Sequence, residues 1–84
     1  MNKGLINFRA KIDEIDSKII NLIYKRAKLV KKIKKYKKQK NLAKVDKGRE
    51  KKIYQKLKEL AKEKGLDENF INKLFKLIIR QNKK

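Results

Sequence analysis

Arg9, Arg26, Arg49 and Arg80 are the four arginines of a chain that otherwise carries positive charge on lysine, 24 of its 28 basic residues. A guanidinium is a planar fork that grips a carboxylate through two parallel hydrogen bonds, whereas an ammonium is a mobile point charge. The sequence has no cysteine and no histidine. That excludes thiolate nucleophiles, disulfides, cysteine-built metal sites and the commonest general base. Chemistry here must run on carboxylates, amines, guanidiniums, amides and hydroxyls. With a net charge of +19, the natural target is an anion.

Arg26 stands in the least expected place. Leu5, Phe8, Ile12, Ile15, Ile19, Leu22, Leu29, Ile33 and Tyr36 alternate at spacings of four and three, and Arg26 fills the gap between Leu22 and Leu29. A charge on such a seam is costly unless it is paired or meets a ligand. It either snorkels and fixes register, or contacts an anion within an apolar interface. Glu50 raises the same question, because it extends the Ile53–Leu57–Leu60 stripe, although a first-turn glutamate also complements a helix dipole. Asn82 continues the Ile71–Phe75–Ile78 face, as a site residue or a polar end.

Three helices must position these residues. Proline is absent and glycine occurs three times, which favours long helices. The four–three pattern predicts a first helix from about Leu5 to about Lys40, roughly 54 Å long at 1.5 Å per residue. A compact chain of this length has a radius of gyration of only about 12 Å, so this helix overhangs its own chain, and pairing with a second copy is the simplest remedy. The polar stretch 39–44 breaks the pattern, and Asp46 suits the N-cap of a second helix whose apolar side is Ile53, Leu57, Leu60 and Ala61. Gly65 suits its C′ position. Asp67 then caps a third helix, with Leu66 and Ile71 placed as a hydrophobic staple. The reading is all-α, long, medium and short, as one domain spanning 1–84.

The lysines lie on nearly every exposed position of all three helices rather than in one stripe, so most of the charge reads as solvated surface. Nucleic acid is expected to bind only non-specifically, because aromatic residues are few and not interleaved with basic ones. No apolar run reaches transmembrane length, and residues 1–11 lack a signal-peptide core. The expectation is a cytoplasmic protein that does not engage a membrane.

Taken in order, Leu5–Arg9–Lys11–Ile12–Asp13–Ile15–Asp16, Leu22–Ile23–Tyr24–Lys25–Arg26, Lys34–Lys37 and Val45–Asp46–Lys47–Gly48–Arg49–Glu50 resemble the all-helical class of chorismate mutases. The closing run Leu74–Phe75–Lys76–Leu77–Ile78–Ile79 resembles that family's last helix. The similarity covers about residues 5 to 82. It implies an intertwined helical homodimer with two sites, each borrowing one arginine from the partner's first helix. Helix arithmetic agrees: Arg9 and Arg26 are 17 residues apart, roughly 25 Å, too far for one small molecule to bridge. Antiparallel pairing of two first helices brings Arg9 of one chain near Arg26 and Lys37 of the other.

The resemblance implies rearrangement of chorismate to prephenate in phenylalanine and tyrosine biosynthesis, a cofactor-free and metal-free pericyclic step. It assigns Arg9 of the partner and Arg26 to the two carboxylates, and Lys37 to the ether oxygen and a neighbouring carboxylate. Glu50 takes the ring hydroxyl with Asp46 nearby, Arg49 supports a carboxylate, and Asn82 is the polar residue of the last helix. The family usually has a glutamine one turn beyond Asn82. The sequence ends at Lys84, before that position, and Gln81 points about 100° away from the Asn82 face. Two other functions fit parts of the pattern. One is an isochorismate pyruvate-lyase-like enzyme with the same anion contacts. The other is a non-enzymatic basic helical dimer that binds nucleic acid or serves as a scaffold.

Overall fold

The computed structural model describes residues 2–43 and 47–84, Lys47 by its backbone alone. The described residues form three helices, α1 (Lys3–Gln39), α2 (Lys47–Glu63) and α3 (Glu68–Lys83). The order long, medium, short follows the sequence reading. Asp46, expected as the cap of α2, lies outside the described residues.

Each described terminus has a chemical cause. The Asn2 side chain accepts the Leu5 amide at 3.1 Å, so α1 starts two residues earlier than its apolar pattern. Asp67 accepts the amides of Asn69 and Phe70 at 2.8 and 3.2 Å, the capping expected of an aspartate before a helix. Between α2 and α3, Gly65 takes φ +70°. Its amide donates to Lys62 at 3.2 Å, and the Leu66 amide donates to Ala61 at 2.8 Å. This is a Schellman closure, and its left-handed residue is the expected glycine.

The end of α1 is built the same way, on a residue that the sequence reading did not single out. Asn41 has φ 55°, its amide donates to Lys38 at 3.4 Å, and the Leu42 amide donates to Lys37 at 2.8 Å. Asparagine tolerates the left-handed region better than other residues with a side chain. The polar stretch 39–44 therefore contains a defined stop rather than a gradual fading of the helix.

α2 and α3 form an antiparallel hairpin, and α3 also packs on α1. Ala61, 2% exposed, is the single buried hydrophobic residue among those described, a small side chain at the hairpin contact. Ile53 and Leu57 of α2 and Ile71, Leu74, Phe75, Ile78 and Ile79 of α3 are half-buried along the hairpin. α1 projects well beyond this hairpin. The chain measures 60 × 25 × 17 Å, with a radius of gyration of 16.9 Å, against the ~12 Å of a compact chain of this length. Thirteen large apolar residues of α1 remain exposed, from Leu5 to Tyr36. No helix among the described residues is long and apolar enough to cross a membrane.

Candidate active site

α1 is almost entirely exposed, and its exceptions are informative. Only Arg26, Ala27, Val30 and Lys37 are half-buried. At 100° per residue, Arg26, Val30 and Lys37 fall within about 40° of one another on the helix. Two of the four sheltered positions are thus cations, on the face that α3 approaches. Lys34, one turn before Lys37, donates from Nζ to the backbone carbonyl of Asn82, which fixes where that face meets α3.

The hairpin supplies the other wall. α2 has 17 residues and α3 has 16, so two nearly equal helices return the end of α3 to the start of α2. Lys83 Nζ accordingly lies 2.8 Å from Glu50 Oε1. Glu50 and Asn82 are both half-buried. One turn of α3 therefore ties all three helices together, Asn82 to α1 through Lys34 and Lys83 to α2 through Glu50. Lys37 is held from its own end, because its carbonyl accepts the Leu42 amide.

Asn82 carries a further signal. Its Nδ2 is enclosed and has no hydrogen-bond partner, alone in this respect among the described residues. Such a donor costs about 1–3 kcal/mol if it stays unpaired. Lys34 meets the backbone carbonyl of the same asparagine, and the adjoining Lys83 pairs with Glu50. Two ammonium groups and one carboxylate meet at this turn, a net positive balance that favours an anion.

The structure leaves Arg26, Lys37, Glu50 and Asn82 half-buried, and the last turn of α3 lies between Glu50 and the Lys34 turn of α1. It does not bring Arg9 there: Arg9 is exposed, toward the opposite end of α1. Arg49 is also exposed in the first turn of α2, and Asp46 lies outside the described residues. Sequence reasoning missed Lys34 and Lys83 as parts of the junction. Lys34 sits three residues before Lys37 and so neighbours it on the helix face. Nothing in the sequence separates Lys83 from the surrounding lysines. A groove on the hairpin, lined by Tyr54, Leu57, Glu68, Ile71 and Asn72 among others, contains none of the expected site residues.

The described residues define a small all-helical protein in which a long helix meets a helical hairpin. The family is more specific: residues 8–84 match the model of chorismate mutase type II, and the chain belongs to that family. Chorismate mutase of Methanocaldococcus jannaschii is 42% identical over 83 residues, covering 99% of this chain and 84% of that protein. A bifunctional chorismate mutase/prephenate dehydratase of Buchnera aphidicola from Acyrthosiphon pisum is 43% identical over 81 residues, 96% of this chain but 21% of the relative. A namesake from the Schizaphis graminum strain is 41% identical over 78 residues, 93% of this chain and 20% of the relative. The chain thus spans nearly all of one relative and about a fifth of the two bifunctional ones.

Proposed function

We propose that this chain is a chorismate mutase whose site is the α1–α2–α3 junction, completed by Arg9 of a second copy. The observation that carries the reading is the sheltering of Arg26 and Lys37 on an otherwise exposed helix, in a chain of the chorismate mutase type II family. The reaction is an isomerisation of chorismate to prephenate. A carbon–carbon bond forms as the ether carbon–oxygen bond breaks, so no atom, electron pair or proton leaves the molecule. Such a step needs a restrained reactive conformer and positive charge where the ether oxygen gains electron density. It does not need the histidine or cysteine that the sequence lacks.

In this reading Arg26 and the partner's Arg9 hold the two carboxylates, while Lys37 donates to the ether oxygen and a neighbouring carboxylate. Glu50 accepts from the ring hydroxyl, and Asp46 and Arg49 lie close by. The enclosed Asn82 amide finds its acceptor on the substrate after a small side-chain rotation.

The exposed face of α1 supports the dimer. Fully burying a leucine or isoleucine contributes ~1.5–3 kcal/mol, so the row from Leu5 to Tyr36 far outweighs the typical cost of association. Antiparallel pairing of two α1 helices both covers that row and carries Arg9 to the far site. The purified protein should convert chorismate to prephenate and sediment as a dimer. Release of pyruvate and salicylate from isochorismate, without turnover of chorismate, would overturn the assignment in favour of a lyase.

A further inference from the structure

Glu50 presents an electrostatic problem for a site that takes a dianion. Its side chain is half-buried at the start of α2, where α3 returns to it, and an uncompensated negative charge at a site for a dianion repels the substrate. Lys83 answers that problem. Its ammonium lies 2.8 Å from Glu50 Oε1, in the last turn of α3, where a cation also complements the helix dipole. We infer that Lys83 is a positioning residue for substrate recognition. It neutralises Glu50 and holds one carboxylate oxygen, so that the other faces the substrate hydroxyl.

This inference rests on the mutase reading and assigns a task to a lysine that the sequence leaves among 23 others. Stability does not explain the pair. The Lys83 and Glu50 side chains are 55% and 33% exposed, and ion pairs that open to solvent contribute little to folding. The same turn of α3 is also held independently by the Lys34 hydrogen bond to the Asn82 carbonyl. Removing the Lys83 charge therefore leaves the fold standing and acts on the carboxylate alone.

The contact from Glu50 to a ring hydroxyl is made in the ground state and the transition state alike. Its loss should raise KM and leave kcat nearly unchanged. The test is steady-state kinetics with chorismate on the full chain carrying Lys83→Met, Lys83→Arg, Glu50→Gln and the double variant Lys83→Met/Glu50→Gln. Lys83→Met should raise KM roughly three- to tenfold, in keeping with a charge-assisted hydrogen bond. Lys83→Arg should restore most of that loss. In the Glu50→Gln background, Lys83→Met should add nothing, because no carboxylate remains to neutralise. Wild-type turnover with an unchanged KM in Lys83→Met would sink the inference alone. So would an undiminished effect in the Glu50→Gln background, which would mean that Lys83 meets the substrate directly. A wild-type chain that leaves chorismate untouched would instead remove the mutase reading and the inference with it.

Discussion

The carbonyl of Lys37 accepts the amide of Leu42 across 2.8 Å, so the residue expected to face the ether oxygen is also the one on which α1 closes. The turn between them depends on Asn41 at φ 55°. Asn41→Val places a β-branched residue in the left-handed region, at a cost on the order of 1–3 kcal/mol. The melting temperature should fall and kcat should fall with it, because Lys37 loses its fixed end. Asn41→Gly relieves the same strain and should keep both at or above wild type, as thermal denaturation and turnover assays would show.

Arg26 is a cation in the apolar seam of α1, half-buried where its seam neighbours Leu22 and Leu29 are exposed. If it meets a substrate carboxylate, Arg26→Ala should cut kcat/KM by about 10²–10³, the usual scale for losing a charged contact in such a site. Sedimentation should still report a dimer, since an alanine leaves the seam apolar. Near-normal turnover would make Arg26 a residue of register only.

A site shared between chains can be tested by mixing. Arg9→Ala and Arg26→Ala should each be nearly inactive alone. Denatured and refolded together, they should form mixed dimers in which one site has lost both arginines and the other has lost neither. About a quarter of wild-type activity should then return, because random pairing makes half of the dimers mixed. No recovery, with mixed dimers confirmed by mass, would mean that Arg9 does not act across the dimer, and full activity of Arg9→Ala alone would place Arg9 outside the site.

Asn82 offers a stability–activity contrast. Its Nδ2 is enclosed and unpaired, so Asn82→Ala removes a desolvated donor without breaking a side-chain hydrogen bond. Urea denaturation should show unchanged or slightly raised stability, within about 1 kcal/mol. Activity should drop at least several-fold if the substrate supplies the missing acceptor. Loss of stability together with activity would make Asn82 a packing residue.

Much of this molecule follows from the sequence alone. The four–three spacing from Leu5 to Tyr36 yields one long helix, because apolar residues on that period share a face whatever surrounds them. Asp67 and Gly65 mark their termini because capping and left-handed geometry are local matters. Arg26 could be singled out for a similar reason: a charge on an apolar period is anomalous before any fold is known. Asn41 was less legible, since an asparagine in a lysine-rich stretch carries no periodic signal.

The family resemblance singles out Lys37, but the sequence could not decide which other lysines matter. Lys34 and Lys83 are chemically identical to their neighbours, and only the tertiary arrangement separates them. α3 is nearly as long as α2, so its last turn returns to Glu50, and that return gives Lys83 a carboxylate. The meeting of α1 with the same turn gives Lys34 a carbonyl, and Arg26 and Lys37 are half-buried on an otherwise exposed helix. Local propensity depends on neighbours a few residues away and can be read along the chain. A charge acquires its partner from residues that are distant in sequence, and that is fixed only once the helices have lengths, turns and a common meeting point.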